Sequence, residues 1–105
     1  MKDGIYFVEF ISNNNAVGQG TVVVNGDTVN GGDFGFTYQG RVHGNRLDLN
    51  VFQHNPQAVN VLGVNNYTME LAILDNPGGF VLDGAVKGAP HARLQVRAKF
   101  IGDLI

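Results

Sequence analysis

Few side chains in this sequence can do chemistry at neutral pH. The three histidines, His43, His54 and His91, are the only side chains whose ordinary titration falls there. None stands in a His-x-His or His-x-x-x-His pair, the spacing that sets two imidazoles on one metal ion. Nucleophiles are scarcer still. The chain has no cysteine and one serine, Ser12, with no Gly-x-Ser-x-Gly around it. A threonine nucleophile would need a free terminal amine beside it, and the chain begins with Met1. Asp48, Glu70 and Asp83 fall on the polar side of alternating segments, which reads as a solvated exterior and not as a carboxylate pair across a cleft. The expectation is no catalytic residue, no metal site and no cofactor, hence no enzyme.

Other short patterns have plain structural readings. Gly18-Gln19-Gly20 opens like a dinucleotide fingerprint, but no third glycine or helix follows, so a bulge or sharp bend is expected. Asn66-Tyr67-Thr68 matches a glycosylation signal by chance. Gly31-Gly32-Asp33 precedes an aromatic segment, where a carboxylate can accept hydrogen bonds from nearby backbone N–H groups.

Balanced charge narrows the partners. Lys and Arg number 7 against 9 Asp and Glu, which leaves no basic excess for direct nucleic-acid binding. Glu9 interrupts the first apolar run, so neither a secretory signal nor a membrane span is read, and a cytoplasmic location is expected. Charged residues make up 15% and hydrophobic ones 44%, a balance that favours apolar surface beyond one core.

The elements that must hold these groups are strands. Fifteen glycines are scattered as punctuation between short apolar runs. Ala92, Leu94, Val96, Ala98 and Phe100 alternate with Arg93, Gln95, Arg97 and Lys99, which sets one face in a core and one in water. Arg46 to Val51 alternates likewise, as does Phe34 to Gln39 with its aromatics on one side. Two further rows are Tyr67, Met69, Leu71, Ile73 and Phe80, Leu82, Gly84, Val86. Turns are expected at Asn13-Asn14-Asn15, at Asn25-Gly26 (type I′), at Gly44-Asn45 and at Asn76 to Gly79. His43 and His54 then flank the Gly44-Asn45 hairpin, with His43 opposite Arg46.

About eight strands follow, the third a short one near Thr28 to Asn30, in a single domain over residues 1–105. One-sided strands of this kind favour a small all-β, eight-stranded, antiparallel up-and-down barrel, because closure leaves no exposed edge. A two-sheet sandwich is the rival. Two segments depart from the pattern. Ile5 to Ile11 is apolar on both faces. Asn55 to Asn66 does not alternate, and Ala58, Val61 and Leu62 have the spacing of one or two helical turns across a barrel mouth.

The opening Met1 to Tyr6, then Phe10 to Asn13, Gly18-x-Gly20, Asn25-Gly26, Gly31-Gly32-Asp33, Tyr38-Gln39-Gly40 and Ala98 to Ile101 form an ordered set along the chain. Together they resemble the GrlR family, negative regulators of type III secretion genes and their bacterial relatives. The resemblance implies a lipocalin-like barrel, a homodimer, and regulation by binding a transcriptional regulator protein. It further implies a contact through a turn between two strands, which is acidic in the secretion regulator. The matching turn here is His43-Gly44-Asn45-Arg46, which has no acidic residue.

Two functions from different classes are therefore in view. In the first, the chain is a protein-binding module, with Tyr6, Val8 and Phe10, or their neighbours, as an outward dimer row and residues 43–46 as the partner turn. The competing account of that row is cover by Val59 to Val64. In the second, Phe36, Tyr38, Leu49, Met69, Leu71, Leu82, Val96 and Phe100 line a cavity for an apolar small molecule, against a solid core.

Overall fold

A computed structural model describes residues 1–58 and 65–105. The strands are β1 (Gly4–Ser12), β2 (Asn15–Asn25), β3 (Thr28–Gly32), β4 (Phe36–His43), β5 (Arg46–Gln53), β6 (Asn66–Asn76), β7 (Gly79–Val86) and β8 (Ala89–Gly102). Each pairs antiparallel with the next, and β8 returns to β1, so the sheet closes as an up-and-down barrel with no helix among the described residues. The expected fold is the observed one, and the sandwich is excluded.

Period-two patterning decides what faces inward. Leu47, Leu49 and Val51 of β5, Met69 and Leu71 of β6, Phe80 and Leu82 of β7, and Leu94, Val96 and Ala98 of β8 are all buried. Full burial of such a side chain contributes about 1.5–3 kcal/mol, so these rows are the main source of stability. The outward rows carry Asp48, Glu70, Asp83, Arg93 and Arg97. Apolar inside and charged outside is the inverse of a membrane-spanning barrel.

Strand β1 settles differently from the expectation. Tyr6 and Val8 are only 2% and 1% exposed and point into the barrel, and Phe10 packs against the same core. Register requires it. Tyr6, Val8 and Phe10 stand opposite Phe100, Ala98 and Val96 of β8, whose inward row was already fixed by alternation. The assignment of these three residues to an outward dimer row is thus corrected. The outward row of β1 is Ile5, Phe7, Glu9 and Ile11.

The turns follow residue chemistry, with one correction. Asn13 and Asn14 both take positive φ, at 52° and 65°, and form the type I′ connection between β1 and β2. At the next hairpin Asn25 pairs with Thr28, so Gly26 and Asp27 are the central residues and only Gly26 has positive φ. That is the requirement of type II′, not the type I′ turn expected at Asn25-Gly26. Pro77-Gly78 sits between Asn76 and Gly79 with φ 85° at Gly78, as a type II turn demands. Beside Gly18 the β1–β2 register shifts, which gives the expected bulge.

Phe34 also departs from its expected place. It lies in the bend before β4, 75% exposed, and does not share the inward row of Phe36 and Tyr38. From Asn55 to Ala58 the chain makes one turn, closed by the Ala58 N–H to the Asn55 carbonyl at 3.0 Å. The helical turns expected through Val61 and Leu62, and the cover by Val59 to Val64, fall outside the described residues.

Candidate functional site

The barrel has two unlike ends. At one end Tyr6 meets Phe80 and Phe100 edge-on, with ring centroids 4.8 and 5.6 Å apart, and Met1 packs over them. The Tyr6 hydroxyl donates to the Lys2 carbonyl at 2.6 Å, so its polar tip is satisfied although the ring is buried. That end is closed. Phe100 belongs to this plug: with Met1, Lys2, Tyr6 and Asp75 it lines a pocket at this end, and not the cavity at the other.

The other end is organised by Asp33, between β3 and β4. Its Oδ1 accepts the N–H groups of Gly35 and Phe36, each at 2.8 Å, and its Oδ2 accepts the Tyr38 hydroxyl. The Asp33 N–H donates to the Phe36 carbonyl at 2.9 Å, and a His54 ring nitrogen lies 2.9 Å from the Asp33 carbonyl oxygen. Gly31-Gly32-Asp33 thus has the structural role expected of it. Burial first, and then the hydrogen bond to Asp33, hold the Tyr38 hydroxyl protonated far above the ordinary tyrosine range.

A cavity of about 80 Å³ opens beneath this bend. Of the expected lining residues, Phe36, Tyr38, Leu49, Met69, Leu71 and Val96 surround it. Leu82 lies deeper, beside a void of only about 10 Å³. Sequence reading missed Phe10, Val17, Val51, Tyr67 and Leu94 in the wall, and Asp33 as its charged member. Phe10 was missed because it was assigned outward. Asp33 was recognised as a turn residue, but its position over the barrel interior is set by closure, which no local pattern shows.

The turn His43-Gly44-Asn45-Arg46 is exposed at the closed end, opposite the cavity. His43 pairs with Arg46 in the register, as expected. Gly44 takes φ 62° at the first central position. Two carboxylates lie beside the turn but not in it. Asp48 and Glu70 face each other across β5 and β6, with Asp48 3.8 Å from His43 Nε2 and Glu70 3.3 Å from Arg46. These groups keep the exterior charged, and they form no site with the histidines: among the described residues no cluster of three potential ligands could hold a metal ion.

A family model described as T3SS negative regulator, GrlR, matches residues 1–104. The chain belongs to the GrlR family. Its barrel is the fold expected from that resemblance, and membership points to a regulatory role in type III secretion, in a family of regulators and not of known enzymes. No curated protein matches the chain. The turn His43-Gly44-Asn45-Arg46 itself holds no acidic residue.

Proposed function

We propose that this chain is a non-catalytic regulator that acts by binding a partner protein, as a homodimer in the cytoplasm. Family membership over nearly the whole chain carries the reading. The outer surface supports self-association. Ile5 and Phe7 of β1 and Val23 of β2 form a half-buried apolar row, in which Ile5 stands directly opposite Val23. Around it Glu9, Arg97 and Lys99 enter no ion pair among the described residues. A two-fold contact would let Glu9 of one copy meet Arg97 or Lys99 of the other while the apolar row is covered. Light scattering should give twice the chain mass for the wild type and the single-chain mass for Phe7→Lys. A dimer that persists in that variant would remove this face from consideration.

The partner is expected to be a transcriptional regulator protein, with His43 to Arg46 as the contact. Arg46→Ala tests the turn cleanly, because an exposed pair such as Arg46–Glu70 contributes only about 0–1 kcal/mol to stability. In a two-protein pull-down with a candidate activator, capture should weaken about tenfold or more, within the range of an interface hot spot. Unchanged capture would place the contact elsewhere.

Carriage of a long apolar molecule has less support. A cavity of about 80 Å³ is roughly half the ~150 Å³ that admits benzene in an engineered core.

A further inference from the structure

We infer that the cavity beneath the Asp33 bend is a binding site for a small primary alkylammonium, with its alkyl tail inside and its charge at Asp33. This site is independent of the dimer face and of the partner turn. The first observation is size: about 80 Å³ is room for roughly three carbon atoms, scaled from the six of benzene in ~150 Å³. Leu49, Met69, Leu71, Leu94 and Val96 make the deeper wall apolar, so the buried part of a ligand must be hydrocarbon.

The second observation is charge. Asp33 is the one ionisable carboxylate in the described wall. A carboxylate has about four acceptor sites, and the Gly35 and Phe36 N–H groups and the Tyr38 hydroxyl occupy three. One remains on Oδ2, fixed in place by the same bonds that shape the bend. Because the Tyr38 hydroxyl stays protonated, it holds Oδ2 as a donor and does not compete as an anion.

The third is the aromatic wall. Phe10 and Tyr38 stand edge-to-face at 5.2 Å, and Phe36 and Tyr67 complete the lining. Ring faces attract a cation and repel an anion. A carboxylate in an otherwise uncharged described wall therefore selects a cation, and the apolar residues beneath it select one that enters tail first. A lysine side chain carries its ammonium at the tip and would reach Asp33 without filling the cavity. The geometry accordingly favours a free amine over a lysine of a protein partner.

The test is NMR titration of the full chain with n-propylammonium, n-propanol, propionate and Nα-acetyl-lysine amide at constant ionic strength. Expected for n-propylammonium are saturable shifts at the Gly35 and Phe36 amides and the Met69 methyl, with Kd on the order of millimolar for so few atoms. n-Propanol and the lysine amide should each bind about tenfold more weakly or worse, and propionate not at all. Asp33→Asn should reduce propylammonium to the propanol level. Leu94→Phe, which leaves the Asp33 bend intact and fills the cavity, should abolish binding, so the proposal stays testable if the Asp33 variant fails to fold. Equal binding of propanol or of the lysine amide, shifts that never saturate, or full binding by folded Leu94→Phe would each overturn it.

Discussion

Asp33 connects three backbone or side-chain donors through one carboxylate, and its loss should be felt in stability before anything else. Asp33→Ala leaves the Gly35 and Phe36 N–H groups and the Tyr38 hydroxyl without their acceptor. Stranding such groups costs about 1–3 kcal/mol each, with overlap between them, so a loss of about 3 kcal/mol is expected in urea denaturation. Tyr38→Phe removes one donor only and should cost about 1 kcal/mol. The raised Tyr38 value also fixes a pH dependence. Its folded-state value lies well above the ordinary 10.0, so the folded state keeps a proton that the unfolded state releases. Stability from this group is complete below pH 10 and declines as the pH rises beyond it. Denaturation midpoints measured from pH 9 to 11.5 should therefore fall less steeply in Tyr38→Phe than in the wild type. Parallel slopes would show that Tyr38 is not the group responsible.

At the scale of the elements, close strand approach limits what the sequence can tolerate. Gly84 faces inward in β7, opposite Leu71 and Leu94. A Cβ there would collide with the Glu70 carbonyl oxygen and lie 2.9 Å from the Leu71 Cα. Both obstacles are backbone, so no rotamer change relieves them. Gly84→Ala should cost at least about 3 kcal/mol, lowering the melting temperature by more than 10 °C for a domain of this size. A loss below about 1 kcal/mol would mean that β6 and β7 can move apart at this position. Element-level patterning also explains which assignments succeeded. Strands β5 to β8 alternate polar and apolar residues, and the inward rows expected from them are inward except at Ala92, which falls at the β7–β8 register shift and does not pack against the core. β1 is apolar on both faces, so alternation cannot choose between Tyr6-Val8-Phe10 and Ile5-Phe7; only pairing with β8 does. The Asn25-Gly26 turn failed for a related reason. A one-residue change in register moves the turn from Asn25-Gly26 to Gly26-Asp27, and both pairs have turn-forming residues.

For the whole molecule, closure of the barrel sets the size of its interior. Eight strands enclose a space that side chains nearly fill, and Tyr6, Phe80 and Phe100 seal one end. A fluorescent long-chain fatty acid should give no saturable change at micromolar protein. A saturable response would require the core to open well beyond about 80 Å³ and would restore the carrier reading.

Residue types and their spacing were enough to specify an all-β chain, its eight strands, most of its inward rows and the resemblance to GrlR. Those properties depend on neighbours in sequence: alternation over a few residues, glycine and asparagine at turns, and an ordered set of short motifs. The direction of β1, the exposure of Phe34 and the position of Asp33 over a small cavity depend on partners far along the chain. Ile5 to Ile11 meets β8 some ninety residues later, and that long-range pairing, not local preference, decided which of its two apolar faces became core.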